Sequence, residues 1–283
     1  MSIRRLPLAA CRSFLMCRPT HYAIAYEINP WMRLARPANH RRALSQWDRL
    51  YRTLTETLKV QVRLLPPAPG VPDLVFTANA GLVHGRTLIR SNFRHPQRRR
   101  EEPLVERYFR REGFRIVRLP RRFNFEGEGD ALWVGDTLVM GFRFRSDAPA
   151  HEHAARALDA RVLPVELADQ RFYHLDTCFC PLDAQTILWF PKAFDRYSRK
   201  VIEGLARTRI AVSERDAVRF ACNAIVIGRS IVMQAGVSTT LKRALSRRGF
   251  RLYPVELSEF LKAGGAAKCL VLQLHCQPSA RRS

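Results

Sequence analysis

Long apolar runs are missing from this 283-residue chain. Asp, Glu, Lys or Arg punctuates every stretch, so no segment reaches the ~18 uninterrupted apolar residues that a membrane-spanning helix needs, and no membrane partner is expected. Lysine is scarce: only six of the 48 basic residues are lysine, the rest being arginine, in a chain of net charge +23. An excess so one-sided fits a general compositional bias toward arginine. The arginines are scattered through expected helices, and the dense runs Arg98-Arg99-Arg100 and Arg121-Arg122 lack the interleaved aromatics of a base-stacking platform. Weak attraction to polyanions at low salt follows, but charge alone specifies no sequence or groove, so no dedicated nucleic-acid partner is expected.

Metal-ligand and redox spacings are absent as well. The seven cysteines, at 11, 17, 178, 180, 222, 269 and 276, form no CxxC pair and no zinc pattern, and neither a metal nor another cofactor is expected. An odd number of unpatterned thiols fits a reducing cytoplasm. Cys178 and Cys180, two residues apart on one expected strand, read as small core residues, as do Cys222 and Cys276.

What is present is a chain 47% apolar, long enough to bury a sizeable core. The first fifteen residues carry Arg4 and Arg5 before a short apolar stretch that Arg12 and Arg18 interrupt. They read as a dispensable extension, residues 1–15, with Met16 as the natural beginning of a single catalytic domain, residues 16–283. A homo-oligomer is compatible with the chain.

Alternation and turn residues mark strand pairs over 131–134 with 138–141, 177–182 with 186–190, and 223–227 with 230–234. Each pair is followed by a helical stretch (151–158, 195–205, 239–248) and a further strand (161–165, 209–212, 251–255). The unit is strand, strand, helix, strand, and its start recurs every 46 residues, at Ala131, Thr177, Asn223 and Cys269. An earlier copy runs from Leu74 through 87–89, a helix over 101–111 and a strand over 115–119. The incomplete last copy is completed by the N-terminal region, with a strand over 21–26, a helix over 41–58 and a strand over 60–64. Five units closed end to end describe an α/β propeller around a central cavity, helices outside. The stretch from Pro66 to Pro72 is a candidate lid.

The repeat locates the chemistry. Asn79, Glu126, His174, Asn223 and Cys269 fall near the first strand of successive units, so the ring delivers them to one cavity. Cys269 follows Gly264-Gly265-Ala266-Ala267-Lys268 and precedes Leu270-Val271-Leu272, a glycine-rich entry into a buried strand that suits a nucleophile. His174-Leu175-Asp176-Thr177 and Phe125-Glu126-Gly127-Glu128-Gly129-Asp130 supply a proton carrier and the carboxylates that a thiol enzyme acting on a cation requires.

These residues, with Glu27-Ile28-Asn29-Pro30-Trp31-Met32, Asp73-Leu74-Val75-Phe76-Thr77-Ala78-Asn79 and Phe220-Ala221-Cys222-Asn223, resemble the guanidine-modifying enzymes of the pentein fold. The likeness runs from His21 to Leu274 and is greatest to the arginine dihydrolase branch, which converts arginine to ornithine, carbon dioxide and ammonia. The resemblance implies Cys269 as nucleophile, His174 as general acid and base, and Glu126 with Asp176 as the carboxylates that hold the guanidinium. It implies Arg98 and Arg145 as the grip on the substrate α-carboxylate, with Asn29, Asp73, Asn79 and Asn223 as further substrate-facing residues. Asn79 stands where deiminases carry a guanidinium-binding aspartate, and Glu128 intervenes in the acidic motif, so Glu126 and Glu128 compete for one role, with Glu126 favoured. Dimethylarginine hydrolysis and deimination ending at citrulline are the enzymatic alternatives. A basic nucleic-acid or partner-binding protein on the same scaffold is the non-enzymatic one.

Overall fold

The computed structural model describes residues 12–275. Its strands form five three-stranded sheets of one topology, an antiparallel first pair and a third strand parallel to the middle one. Four sheets are contiguous in sequence: Gly81–His84, Thr87–Arg90 and Arg115–Arg118; Ala131–Val134, Thr137–Phe142 and Arg161–Glu166; Phe179–Pro181, Thr186–Trp189 and Thr208–Ala211; Ile225–Ile227, Ser230–Gln234 and Arg251–Val255. A parallel pair needs a crossover. The helices Glu102–Arg111, Ala148–Leu158, Arg196–Leu205 and Thr239–Ser246 supply it, each between the second and third strands of its sheet. The five-bladed α/β propeller expected from the sequence is the fold of this chain.

The remaining blade joins the two ends of the described chain. Leu272–His275 pairs antiparallel with Arg12–Cys17, which pairs parallel with Gln61–Leu65, and the helix His40–Arg52 lies between these last two strands. That helix buries Ala43, Gln46, Trp47 and Leu50, a stripe at three- and four-residue spacing, and Asn39 caps it by accepting the Arg42 N–H at 2.9 Å.

Here the structure departs from the sequence expectation. No strand forms over residues 21–26; the blade's middle strand begins at Arg12, so the extension assigned to 1–15 overlaps the ring. Phe14, Leu15, Met16 and Cys17 are all buried, because a middle strand is covered on both faces and reads as a continuous apolar run rather than an alternating one. In sequence the same run, bounded by Arg12 and Arg18, is hard to tell from a leader remnant. Residues 21–26 instead cross the structure as irregular chain, with Tyr22 donating to the Glu259 carbonyl at 2.8 Å and Tyr26 to Asp73 at 2.9 Å.

The third strand of each blade is its edge. Arg161–Glu166 and Arg251–Val255 carry Pro164 and Pro254 at matching register, opposite Met140 and Met233. Proline has no N–H to give to a ladder and is tolerated where that N–H faces away. It also blocks pairing with another chain. Cys178, Cys180 and Cys222 are buried, as expected of core residues; Cys276 lies outside the described residues. Among the described residues no helix is long and apolar enough to cross a membrane.

Removal of residues 1–15 takes Phe14 and Leu15 out of the core, each worth about 1.5–3 kcal/mol of burial, and shortens the ladder that closes the ring. A loss of soluble yield or a clearly lower thermal midpoint is expected in a melting experiment; an unchanged midpoint would show that the ring closes without them.

Candidate active site

Short 3-10 turns run into the inner strands: Thr77–Ala80, Gly127–Gly129, Leu175–Thr177 and Lys268–Leu270. They explain why the strands begin at Phe179 and Leu272, two and three residues past the repeat marks. They also place the chemistry. Glu126 and His174 each occupy the residue just before their turn, and Glu128, Asp176 and Cys269 each occupy its middle. One local conformation, repeated around a ring, brings Glu126 against His174 and Asp176 against Cys269.

Cys269 sits in a dense polar cluster. Its Sγ lies 3.2 Å from Asp176 Oδ2 and receives Asn223 Nδ2 at 3.1 Å. Asn223 also accepts the backbone N–H groups of Ala266 and Cys269 at 3.0 and 3.1 Å and donates to the Asp176 carbonyl at 3.1 Å. The sequence suggests Asn223 as a substrate-facing residue; in the structure its amide clamps the loop that carries Cys269. Burial, and then the Asp176 charge, push the Cys269 thiol well above its usual range, against the opposing pull of Asn223 and Lys268. The resting sulfur is therefore a thiol donating to Asp176. Burial raises Asp176 itself to about 6, although Lys268, Cys269 and Asn223 favour its charge.

His174 Nε2 lies 2.8 Å from Glu126 Oε2, which also accepts Arg145 Nη1 at 2.9 Å. Burial lowers His174 to about 4, with Glu126 only partly offsetting it. Burial works against the Glu126 charge, but Arg145, His174 and Arg98 outweigh it and hold the carboxyl below its usual range. The pair at rest is a neutral imidazole donating to a carboxylate. Glu126 thus lies against His174 and Arg145 rather than standing free for a guanidinium as the resemblance implied. Glu128 faces elsewhere, accepting Lys268 Nζ at 2.8 Å and the Gln273 N–H at 3.0 Å, so the two glutamates have separate duties.

Asn29, Asp73, Asn79, Arg98, Arg145 and Cys269 line one narrow cavity. Arg98 donates to both Glu101 oxygens at 2.8 Å, to Asn79 Oδ1 at 2.8 Å and to the Asp73 carbonyl at 3.2 Å. Those bonds use most of the five N–H donors of a guanidinium. Arg145 donates to Glu126 and to the Ile28 carbonyl and stacks on the Tyr173 ring at 4.5 Å, which leaves it the freer of the two for a ligand carboxylate. Asn29 accepts the Trp31 and Met32 N–H groups and donates to the Ala263 carbonyl at 3.0 Å. Its side chain ties the segment around Asn29 over the cavity. Ile28, Asn29 and Met32 of that segment line the cavity together with Cys269, whereas Pro67 and Pro72 border a separate depression beside Cys17. Gly264, at φ +83, lies against this segment: a Cβ there would lie 2.8 Å from the Tyr173 hydroxyl and 3.0 Å from the Trp31 ring.

Three buried polar atoms here have no hydrogen-bond partner in the protein: Asp73 Oδ1, Asp176 Oδ1 and Asn79 Nδ2. Leaving such a group unmet costs about 1–3 kcal/mol, more when it is charged, and a ligand with complementary groups recovers it. Sequence reasoning missed Glu101, Tyr26 and Tyr173. Only Glu101 left a trace, three residues after Arg98 at the start of the expected helix, the spacing of an ion pair when a helical turn continues back through Arg98, as the 3-10 turn Pro96–Glu101 does.

Gly129 is where the two halves of the site touch. A Cβ there would lie 2.3 Å from Asn79 Nδ2 and 3.2 Å from the His174 ring. Gly129→Ala is expected to lower kcat/KM by about tenfold or more, because displacing either group spoils geometry that catalysis needs. Circular dichroism checks the fold and steady-state kinetics the loss; near-wild-type kcat/KM would reject this placement.

A family model described as N,N dimethylarginine dimethylhydrolase, eukaryotic, matches residues 22–276. The bifunctional arginine dihydrolase/ornithine cyclodeaminase ArgZ of Synechocystis sp. is 48% identical over 265 residues, which are 92% of this chain and 37% of that protein. The chain thus spans well under half the length of that relative. The N(G),N(G)-dimethylarginine dimethylaminohydrolase of Mycobacterium tuberculosis is 37% identical over 275 residues, 96% of this chain and 88% of that protein. Among solved structures, the N-terminal domain of ArgZ covalently bound to a reaction intermediate has 46% identity and a TM-score of 0.90, covering 94% of this chain and 98% of that one. With the family model spanning nearly all of the ring, this chain belongs to the N,N-dimethylarginine dimethylhydrolase family.

Proposed function

We propose that this chain hydrolyses the guanidino group of arginine in two successive cycles, giving ornithine, ammonia and carbon dioxide, with Cys269 as nucleophile and His174 as general acid and base. The observation that carries the reading is the pair of unpartnered carboxylate oxygens, Asp73 Oδ1 and Asp176 Oδ1, in a site whose sulfur is already bonded to Asp176. Two buried acceptors beside a thiol suit a cation that offers N–H donors. The relationship to ArgZ favours arginine as that cation, and Arg145 supplies a partner for its α-carboxylate.

The steps follow from the charges. Arrival of the guanidinium favours the thiolate of Cys269, and the thiol proton passes to neutral His174. Sulfur adds to the guanidinium carbon, and the protonated imidazole gives its proton to the departing nitrogen, so ammonia leaves a covalent amidino thioether. His174, neutral again, takes a proton from water as the water attacks the cationic amidino thioether; collapse returns that proton to sulfur, the hydroxyl proton of the adduct is lost to solvent, where the released ammonia becomes ammonium, and a ureido product is freed. In the second cycle sulfur adds to the ureido carbon, a second ammonia departs, and water hydrolyses the thiocarbamate to a carbamic acid, which loses carbon dioxide to leave ornithine.

Hydrolysis of dimethylarginine is the second reading, favoured by the family model and by the Mycobacterium tuberculosis relative. A dedicated polyanion function has less support. Arg90, Arg110 and Arg118 all converge on Glu106, so part of the basic surface is occupied by local pairing. The free thiols at Cys17, Cys178, Cys180, Cys222 and Cys269 support a reducing, cytoplasmic setting.

Mass spectrometry after incubation with arginine, and separately with dimethylarginine, tests the proposal. Ornithine from arginine is expected, with dimethylarginine turned over more slowly; citrulline as the end product would reject the second cycle, and preference for dimethylarginine would favour the other reading. Cys269→Ser is expected to abolish turnover with the melting profile intact.

The acidity of the thiol is testable by itself. Iodoacetamide labelling of Cys269 in the free protein is expected to accelerate with rising pH, its midpoint above the value of about 8.5 usual for a thiol. A midpoint at neutral pH would mean a resting thiolate and contradict the burial argument.

A further inference from the structure

Asparagine differs from aspartate in having unlike terminal atoms, so which of them meets the reacting group has to be decided by a neighbour. For Asn79 the neighbour is Arg98. Its Nη1 lies 2.8 Å from Asn79 Oδ1, and a guanidinium is a donor only, so the amide oxygen faces Arg98 and Nδ2 points the other way. Nδ2 is buried without a partner in the protein, on the side where Gly129 leaves room for it next to the His174 ring. Arg98 is itself fixed. Both Glu101 oxygens receive it at 2.8 Å, a fork-to-fork pair in which each side chain is 3% exposed.

We propose that Glu101 is a positioning residue for the second hydrolysis: through Arg98 it holds Asn79 with the amide nitrogen toward the reacting carbon. The inference rests on the dihydrolase reading. A guanidinium offers only N–H groups, so an amide donor adds nothing to its binding in the first cycle. A ureido group carries oxygen, which accepts. When sulfur adds to the ureido carbon the carbonyl π pair moves onto that oxygen, and a fixed donor stabilises the charge most at that moment. If Glu101 no longer holds Arg98, the guanidinium can shift and the Asn79 amide can turn over, presenting an acceptor to the ureido oxygen and losing the contact. That same turn does the guanidinium no harm, so the two cycles respond differently.

Glu101→Gln and wild type are compared on arginine, measuring total arginine consumed and the ratio of ornithine to citrulline, with melting profiles to confirm folding. Expected is consumption within about threefold of wild type and a product ratio shifted about tenfold toward citrulline. If the glutamine variant does not fold, Glu101→Asp decides by the same measurement, since it keeps the charge and shortens the reach; a smaller shift in the same direction is expected. An unchanged ratio overturns the inference, and so does an equal fall in both cycles, which general loosening of the site would produce. Wild type that itself stops at citrulline overturns the dihydrolase reading and this inference with it, whereas with wild type that makes ornithine an unchanged ratio overturns the role of Glu101 alone.

Discussion

Charge taken out of water has to be met by charge or by hydrogen bonds, and the centre of this ring is organised by that requirement. Asp73, Arg98, Glu101, Glu126, Glu128, Arg145 and Asp176 are all buried. Glu126 is met by Arg145 and His174, Arg98 by Glu101 and Asn79, and Glu128 by Lys268. Each pairing fixes a side chain that would otherwise have several rotamers. The groups left over, one oxygen on each of Asp73 and Asp176 and the amide nitrogen of Asn79, are held by neighbours that are themselves held. A site built this way has its geometry in place before a ligand arrives and loses less conformational freedom on binding.

The fold makes such convergence possible with little local information. A short 3-10 turn is a modest structure, fixed by a few residues, yet set at the head of inner strands around a closed ring it brings Glu126 against His174 and Cys269 against Asp176, partners 48 and 93 residues apart. Closure depends on the pairing of Arg12–Cys17 with Leu272–His275, the strand that follows the turn carrying Cys269. The position of the sulfur and the integrity of the ring therefore rest on the same ladder.

Much of this was legible in the sequence, because a repeat states the same rule several times. The strand-strand-helix-strand period exposed the propeller, and the positions of Asn79, Glu126, His174, Asn223 and Cys269 in successive units pointed to one cavity. What escaped was decided by tertiary context. Phe14 to Cys17 could not be told from a leader remnant, since only the partner strands from opposite ends of the ring make that run a buried middle strand. Glu126 and Glu128 differ by two residues and by nothing in chemistry; the direction of the turn sends one to His174 and the other to Lys268. The amides of Asn29 and Asn223 suit substrate contacts in sequence, whereas each closes a backbone loop. An amide serves either purpose equally well, and spacing does not separate them.

On the proposed dihydrolase reading, the raised thiol bears on how the two cycles relate. Binding of a cation and ionisation of Cys269 favour each other, and the coupling is reciprocal: whatever the guanidinium contributes to forming the thiolate, the thiolate returns as affinity for the guanidinium. Reactivity is thereby confined to the occupied site. The second substrate is neutral and brings no such help, so the advantage that Asp73 and Asp176 confer on the first cycle is largely absent from the second. Recovering the rate requires an interaction that strengthens as the second transition state forms rather than one that binds the ground state. An amide donor at the position of Asn79, beside the histidine and fixed by the Arg98 and Glu101 pair, is such an interaction, and a carboxylate there would instead repel the oxygen as its charge develops. On that reading, an amide rather than an acid at this one position gives up attraction for the first substrate in exchange for stabilisation of the second transition state.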